Sequence, residues 1–196
     1  AKFVTTLGVM TNNRFHFGVG VSPWYEDFLA TGERWEKRGK RMAEQIDILK
    51  GLMNGEYYSF KGEFYDIPEL KLCPAPTKPV PILIGGHSKL ALKRAARVGD
   101  GWISAGLSLE ETKILIDQIN EYRNEFGTLD HPNYQFQVMG EAAYSADGVK
   151  NLEDLGATEV IVAFRNAYEG GKDERTLDGM IAEINWYAEE VINKSK

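Results

Sequence analysis

The sequence is poor in the residues from which disulfides, metal sites and membrane spans are built. Cys73 is the only cysteine among 196 residues, which excludes an intrachain disulfide and predicts a reducing compartment, the cytoplasm. The histidines His16, His87 and His131 are scattered without the spacing of metal ligands, so no metal site is predicted. No apolar run approaches the roughly 20 residues that cross a bilayer, and no signal-peptide pattern is present. We therefore expect no membrane association.

An excess of positive charge is missing as well. The formal net charge is -6 and the isoelectric point is about 5.2, and the basic residues are dispersed rather than gathered in a stripe. A nucleic-acid partner is therefore not expected. The chain also lacks a G-x-S-x-G motif and a Cys/His pair, so acyl transfer is not indicated. A hydrophobic content of 43% is enough for one core, and we predict a single domain over residues 1–196.

The apolar periodicity that is present alternates between strands and helices. Strands are predicted near residues 15–21, 82–84, 102–105, 135–143 and 159–164, and amphipathic helices over 33–53, 89–98, 108–126, 147–155 and 176–191. This order predicts a parallel α/β fold with right-handed crossovers. A hairpin at 57–67 is inserted between the first two strands, and residues 22–32 are predicted to be an aromatic loop.

Apolar spacing also predicts which face of each helix is buried. In a first helix, over residues 1–11, Phe3, Leu7 and Met10 fall on one face. Two faces are predicted to be buried, Leu90, Ala91, Ala95 and Val98 and then Leu177, Met180, Ile181, Ile184, Ala188 and Val191. We expect the last of these faces to cover the strand at 159–164.

The segment over residues 81–92, PILIGGHSKLAL, organises the rest of the chain. An apolar strand ends in Gly85 and Gly86, which can adopt positive φ and leave backbone amides uncovered. Ser88 is a good N-cap for the helix that follows, whose first turn carries free amides and the positive end of the helix dipole. Residues 85–88, the glycine loop, therefore form a candidate phosphate site. The alternative is an ordinary strand-to-helix turn that uses its glycines only for geometry.

Three residues have both a functional and a structural interpretation, namely His87, Trp24 and Trp102. His87 either contacts a cofactor or packs within its loop, whereas His16 is predicted to be a core or rim residue and His131 a surface residue. Trp24 and Trp102 either wall an apolar substrate pocket or pack beneath loops.

The ordered set of motifs GVGVSPWYEDF, ERWEKRGKRMAEQIDILKGL, YSFKGEFYDI and CPAPTKPVPILIGGHSKLALKRAARVGDGWI resembles the bacterial-luciferase-like oxidoreductases. These include flavin-dependent monooxygenases and deazaflavin-dependent relatives. The resemblance covers nearly the whole chain and is tightest over residues 14–103. It implies a (β/α)8 TIM-barrel type of fold, with the cofactor at the carboxyl ends of the strands.

The resemblance also implies a cofactor site. Gly85, Gly86, His87 and Ser88 correspond to the loop that holds the cofactor phosphate, and Gly20 and Val21 to a loop that faces the cofactor. The implied cofactor is FMN or a deazaflavin (coenzyme F-420), and the IGGHS and DGWI patterns favour the deazaflavin. At the position of Val21, luciferases proper carry an arginine that meets the phosphate, and some deazaflavin dehydrogenases carry an acid. Valine can do neither.

Only units four to eight of the family barrel are found, and the units absent from the sequence carry catalytic groups in many relatives. No catalytic residue is therefore assigned. We expect an incomplete barrel with open sheet edges, which favours a homo-oligomer.

The predicted function is redox chemistry on a small organic substrate. With FMN, oxygen would supply one atom and a flavin reductase could be a partner, whereas a deazaflavin would pass a hydride. The alternative is a non-catalytic barrel fragment that acts only in binding or assembly.

Overall fold

The computed structural model describes residues 1–165, 171 and 173–195. Its helices are α1 (Lys2–Met10), α2 (Tyr25–Thr31), α3 (Arg38–Met53), α4 (Lys89–Val98), α5 (Leu109–Phe126), α6 (Ala146–Asp154) and α7 (Leu177–Tyr187). A 3₁₀ turn covers Glu141–Tyr144, and a π-helical turn, Ala188–Ile192, continues α7. Its strands are β1 (Phe17–Val19), β2 (Tyr58–Lys61), β3 (Asp66–Leu70), β4 (Ile82–Gly85), β5 (Gly101–Ile103), β6 (Gln135–Met139) and β7 (Glu159–Ile161).

The strands form one five-stranded sheet and one hairpin. The sheet has the order β1-β4-β5-β6-β7, and β2 pairs antiparallel with β3. Strand β1 runs parallel to β4, with Val19 opposite Ile84, and β6 runs parallel to β7, with Val138 opposite Val160. The predicted α/β fold with a parallel sheet is confirmed, and so is the hairpin inserted between the first two strands of that sheet.

The chain divides into two compact units, and the first comprises residues 1–102 and 118–134. Its core is built on β4, whose Ile82, Leu83 and Ile84 are all buried. A strand in which both alternating faces are buried is the expected consequence of a parallel sheet covered on two sides. From α4, Leu92 and Ala95 are buried, so the strand and the helix on either side of the glycine loop are both fixed by packing.

The start of β4 is held by one carboxylate, that of Asp100. Its Oδ2 accepts a hydrogen bond from the Ile82 amide at 2.8 Å. Its Oδ1 lies 3.1 Å from Lys50 Nζ and 3.2 Å from His131 Nε2. Asp100 thus ties together segments that are far apart in the sequence. It does so at the end of β4 opposite to the glycine loop.

The second unit comprises residues 103–117 and 135–196. Val138, Ala143 and Leu152 form its buried cluster. The Tyr187 hydroxyl donates to the Ala143 carbonyl oxygen at 2.8 Å, which joins α7 to the 3₁₀ turn. The Tyr144 hydroxyl donates to the carbonyl oxygen of Ala163 at 2.7 Å and accepts from its amide at 3.0 Å.

Several predicted boundaries are wrong. Residues 25–31 of the predicted loop form α2, and the helix predicted from residue 33 begins at Arg38. The strand predicted over 135–143 ends at Met139, because the chain enters the 3₁₀ turn at Glu141. The strand predicted over 159–164 ends at Ile161, and that predicted over 102–105 covers 101–103.

Two predicted buried faces are wrong in part. Leu90 is exposed at the start of α4, although Ala91 and Ala95 are buried as predicted. On α7, Leu177, Ile181 and Ile184 are exposed; Val191 is buried as predicted, and Tyr187, which lies outside the predicted stripe, is also buried. Most of that stripe therefore does not cover the last strand. On α1, Phe3 and Met10 are 75% and 76% exposed, and Val4, Thr5 and Gly8 are the buried residues.

No helix in the described ranges combines the length and the apolar character that a membrane crossing demands. The single domain predicted over residues 1–196 stays a prediction.

Candidate functional site

The glycine loop has the backbone geometry that the sequence predicts. Strand β4 ends at Gly85, and Gly86 follows with a φ of +116°, a region that side chains other than glycine rarely adopt. Ser88 caps α4, because its side-chain oxygen accepts a hydrogen bond from the Ala91 amide at 3.3 Å. The loop therefore leads directly from a buried strand into the start of a ten-residue helix.

A hydrogen bond from a buried tryptophan side chain fixes the orientation of the glycine loop. Trp102 is fully buried, and its Nε1 donates to the Gly86 carbonyl oxygen at 2.9 Å. The His87 ring lies 6.1 Å from the Trp102 ring, centroid to centroid, at a tilt of 60°. Because Gly86 O is engaged with Trp102, the peptide unit between Gly86 and His87 has a defined orientation.

The six residues predicted to face a cofactor come together at one edge of the sheet. Strand β1 pairs with β4 so that Val19 lies opposite Ile84, and the residues after each strand are then neighbours. A Cβ on Gly20 would lie 4.0 Å from the Gly85 carbonyl oxygen. Val21, which is half-buried, follows directly. The binding role of Gly20, Val21 and the glycine loop stays a prediction.

A cleft of about 1150 Å³, which we call the basic cleft, opens beside the glycine loop. Its walls are Val21 to Pro23, the glycine loop, the first turns of α3 and one face of α4. Lys37, Arg38, Lys40, Lys93, Arg94 and Arg97 contribute its positive charges. The open glycines, the nearby start of α4 and this positive surface suit a phosphate group.

A second space, which we call the apolar cavity, has a volume of about 710 Å³. Its apolar wall is formed by Val4, Phe17, Val19, Met42, Ile46 and Leu49. Val21, Ser22 and Arg38 line both spaces, so the apolar cavity adjoins the basic cleft. An apolar space next to an anion site could accommodate the two ends of an amphipathic ligand.

The connection between the hairpin strands is held over the basic cleft by Glu44 of α3. Its carboxylate accepts hydrogen bonds from the amides of Glu63, Phe64 and Tyr65, at 2.7, 3.0 and 3.2 Å. Lys37 donates to the Glu63 carboxylate, and this hydrogen bond lowers the pKa of Glu63. The inserted hairpin is therefore attached to the same helix that walls the cleft.

The remaining candidates lie away from both spaces. His131 contacts Asp100 at the opposite end of β4, and His16 is half-buried just before β1. Trp24 is 50% exposed and Trp102 is buried in the core, and neither lines the basic cleft or the apolar cavity. Cys73 is exposed. Among the described residues, no three histidine, cysteine or acidic side chains gather as a metal site would require.

Of the two interpretations of Trp102, the structure supports packing beneath a loop, with a hydrogen bond to Gly86. Arg94 is the residue of this site that sequence reasoning missed, although it lines the basic cleft. Its position four residues after Leu90, which lines the same cleft, was the signal available in the helical repeat.

Comparison with known proteins agrees with this geometry. The pattern of the family described as luciferase-like monooxygenase matches residues 1–148. The chain is 45% identical over 194 residues to the uncharacterized protein Rv0940c of Mycobacterium tuberculosis, covering 99% of this chain and 66% of that protein. The chain thus spans slightly less than two thirds of the length of this relative.

Relatives with described activities match over shorter stretches. An FMNH(2)-dependent dimethylsulfone monooxygenase of Pseudomonas fluorescens is 35% identical over 123 residues, which are 61% of this chain and 34% of that enzyme. An F420-dependent glucose-6-phosphate dehydrogenase of Amycolatopsis mediterranei is 28% identical over 121 residues, 59% of this chain and 36% of that enzyme. The family therefore contains both flavin-dependent and F420-dependent oxidoreductases.

A solved structure is also similar in fold to this chain. An F420-dependent secondary alcohol dehydrogenase superposes with a TM-score of 0.63 at 18% sequence identity, covering 97% of this chain and 66% of that structure. At this identity the similarity concerns the fold alone, and the fold is that of luciferase-like TIM-barrel proteins. With the family pattern spanning residues 1–148, the chain belongs to the luciferase-like monooxygenase family.

Proposed function

We propose that the glycine loop holds the phosphate of a flavin-type cofactor, FMN or the deazaflavin F420, for redox chemistry on a small organic substrate. The observation that carries the proposal is the loop itself. Gly86 has a φ of +116°, its carbonyl oxygen is fixed by Trp102, and its surface opens into the basic cleft. The cofactor would supply the redox chemistry, whereas this chain would supply orientation and a phosphate anchor.

The apolar cavity supports a second part of the proposal, the placement of an uncharged ring system. Most of its lining is aliphatic or aromatic, with Asp27, Glu33 and Arg41 among the charged residues that also line it. It shares Val21 and Ser22 with the basic cleft. A ligand with a phosphate on the glycine loop could therefore extend its apolar part into this cavity and lose contact with water. Val21 offers only apolar contact. Arg38 lines both spaces and supplies a cation there.

We propose that the chain corresponds to units four to eight of the family barrel and that the site lies at the carboxyl ends of β1 and β4. Two observations support this assignment: the parallel pairing of these strands and the hairpin inserted between them. A homo-oligomer and, for FMN, a flavin reductase remain part of the proposal as partners.

The proposal is tested by Gly86→Asp, measured by the fluorescence of FMN and of F420 on titration with protein. The aspartate adds bulk and negative charge at the position an anion must approach. Loss of even one charge-assisted bond of about 1.5–3 kcal/mol lowers the affinity roughly 10- to 100-fold.

The matched control is Gly156→Asp, which places the same side chain on a glycine of φ +96° with open space around it. Its backbone strain is similar, but it lies on the turn after α6. If Gly86→Asp bound both cofactors as tightly as Gly156→Asp, the glycine loop would not be the phosphate site.

A further inference from the structure

The basic cleft carries more positive charge than one phosphate requires. Six cationic side chains line it, against three acidic ones, Glu44, Asp47 and Glu63. Lys37 is paired with Glu63, and Lys93 Nζ lies 3.8 Å from the Glu125 carboxylate. In the described part of the chain, Arg38, Lys40, Arg94 and Arg97 form no ion pair with a carboxylate, so the cleft presents a net positive charge to a ligand that enters it.

The Arg94 side chain reaches from α4 to the first turn of α3. A Cβ on Gly39 would lie only 2.5 Å from Arg94 Nη2, so a side chain at position 39 would push the guanidinium aside. The side chain of Lys37, the residue before α3, makes no capping hydrogen bond to that first turn, so the guanidinium lies against a positive helix end.

A second guanidinium lies close by, one helical turn further along α4. Burial, and secondarily the charge of Arg97, lower the pKa of Arg94. Within the described part of the chain, neither Arg94 nor Arg97 forms an ion pair with a carboxylate. Arg97 lies exposed in the last turn of α4 and lines the same cleft as Arg94. Neighbouring guanidinium groups repel each other, and an anion bound between them relieves this repulsion.

We propose that Arg94 and Arg97 bind a second anionic group, phosphate or carboxylate, of the ligand whose first phosphate lies on the glycine loop. The inference rests on the proposed function where that ligand is the cofactor. FMN ends at its phosphate, whereas F420 carries carboxylates beyond its phosphate. The arginine pair would therefore favour the ligand with the anionic extension.

The test compares the parent chain with Arg94→Gln/Arg97→Gln, using FMN, F420 and inorganic pyrophosphate as separate probes in calorimetric titrations. We expect the double variant to lose about tenfold or more in affinity for F420 and for pyrophosphate. Its affinity for FMN should change by no more than about twofold, because only screened, longer-range charge is lost.

Two further variants separate a site from a general charge effect. Lys78→Gln/Lys150→Gln removes the same charge from exposed positions outside the cleft and should bind all three probes like the parent. Gly39→Ala keeps every charge but displaces the Arg94 guanidinium, and it should weaken F420 and pyrophosphate without affecting FMN.

The outcomes distinguish the arginine site from the proposed function. Equal F420 and pyrophosphate affinities in the arginine variant and in the lysine control would overturn the arginine site while leaving the glycine loop untouched. Binding of pyrophosphate but of neither cofactor, with that binding lost in the arginine variant, would overturn the proposed function and support the arginine site. A parent chain that binds none of the probes overturns both.

Discussion

At the scale of single residues, Trp102 connects the core to the candidate site. The indole is fully buried, yet its Nε1 reaches the carbonyl oxygen of Gly86, 16 positions earlier in the chain. A buried tryptophan normally satisfies its N–H, and here the acceptor belongs to the one residue of the loop with positive φ. Packing of the core and orientation of the loop are therefore not independent.

Trp102→Phe tests this connection. The aromatic ring is largely kept, but the Gly86 carbonyl oxygen loses its donor, so we expect the free energy of unfolding to fall by about 1–3 kcal/mol. Cofactor affinity should fall as well, because the peptide after Gly86 is no longer fixed. Thermal unfolding and FMN or F420 titration measure the two effects.

Trp186→Phe is the control, because Trp186 is 48% exposed and its replacement should leave both quantities nearly unchanged. Parent-like stability and affinity in Trp102→Phe would show that the loop does not depend on this hydrogen bond.

At the scale of elements, the sequence predicted best those features that depend on neighbouring residues. Ser88 caps α4 as predicted. Ser108 and Glu111 form a capping box at the predicted start of α5, where the Ser108 amide donates to Glu111 Oε2 at 2.9 Å. Both follow from spacings of three residues. The glycine loop was predicted for the same reason, since a strand, two glycines and an N-cap are contiguous in the chain.

Features that depend on distant residues were missed. Gly39 lies against the Arg94 guanidinium, and position 140 requires a glycine because the Leu107 carbonyl oxygen lies where a side chain would be. Neither neighbour can be inferred from local periodicity. On α7 the apolar spacing identified a stripe correctly but could not tell whether another element covers it, and Leu177, Ile181 and Ile184 are exposed.

Substitutions can test whether the apolar stripe of α7 is exposed or is covered by another element. Ile184 is 56% exposed, so Ile184→Ala should change the free energy of unfolding by no more than about 0.5 kcal/mol. Leu152 on α6 is 1% exposed, and Leu152→Ala should cost about 2–5 kcal/mol. Urea unfolding of both variants provides the comparison, and a large loss in Ile184→Ala would mean that this face is covered in solution.

At the scale of the whole molecule, two features favour association between chains. The described sheet has two edge strands, and large apolar side chains are exposed. Strands β1 and β7 are the first and last of the five strands. Phe3, Met10 and Leu177 are each more than 70% exposed. Unpaired strand edges and exposed apolar side chains both favour association, which is the basis for the predicted homo-oligomer.

We expect light scattering to give a mass above the 22.0 kDa of one chain, rising with concentration. Leu177→Lys/Ile184→Lys should shift the distribution toward the single chain if α7 takes part. Leu109→Lys, at a position on α5 that is 36% exposed, serves as the control. A mass of one chain at every concentration would contradict the prediction.

The two ends of β4 have separate tasks, and this has a consequence for how such a protein can change. Asp100 fixes the start of the strand through Ile82, Lys50 and His131, whereas the glycine loop and α4 face the basic cleft. Substitutions that alter ligand preference can accumulate at one end while the other preserves the strand register. A library confined to His87, Lys89, Lys93, Arg94 and Arg97, which leaves the buried Ala91, Leu92, Ala95 and Ala96 unchanged, should therefore yield mostly folded variants, and selection could act on binding alone.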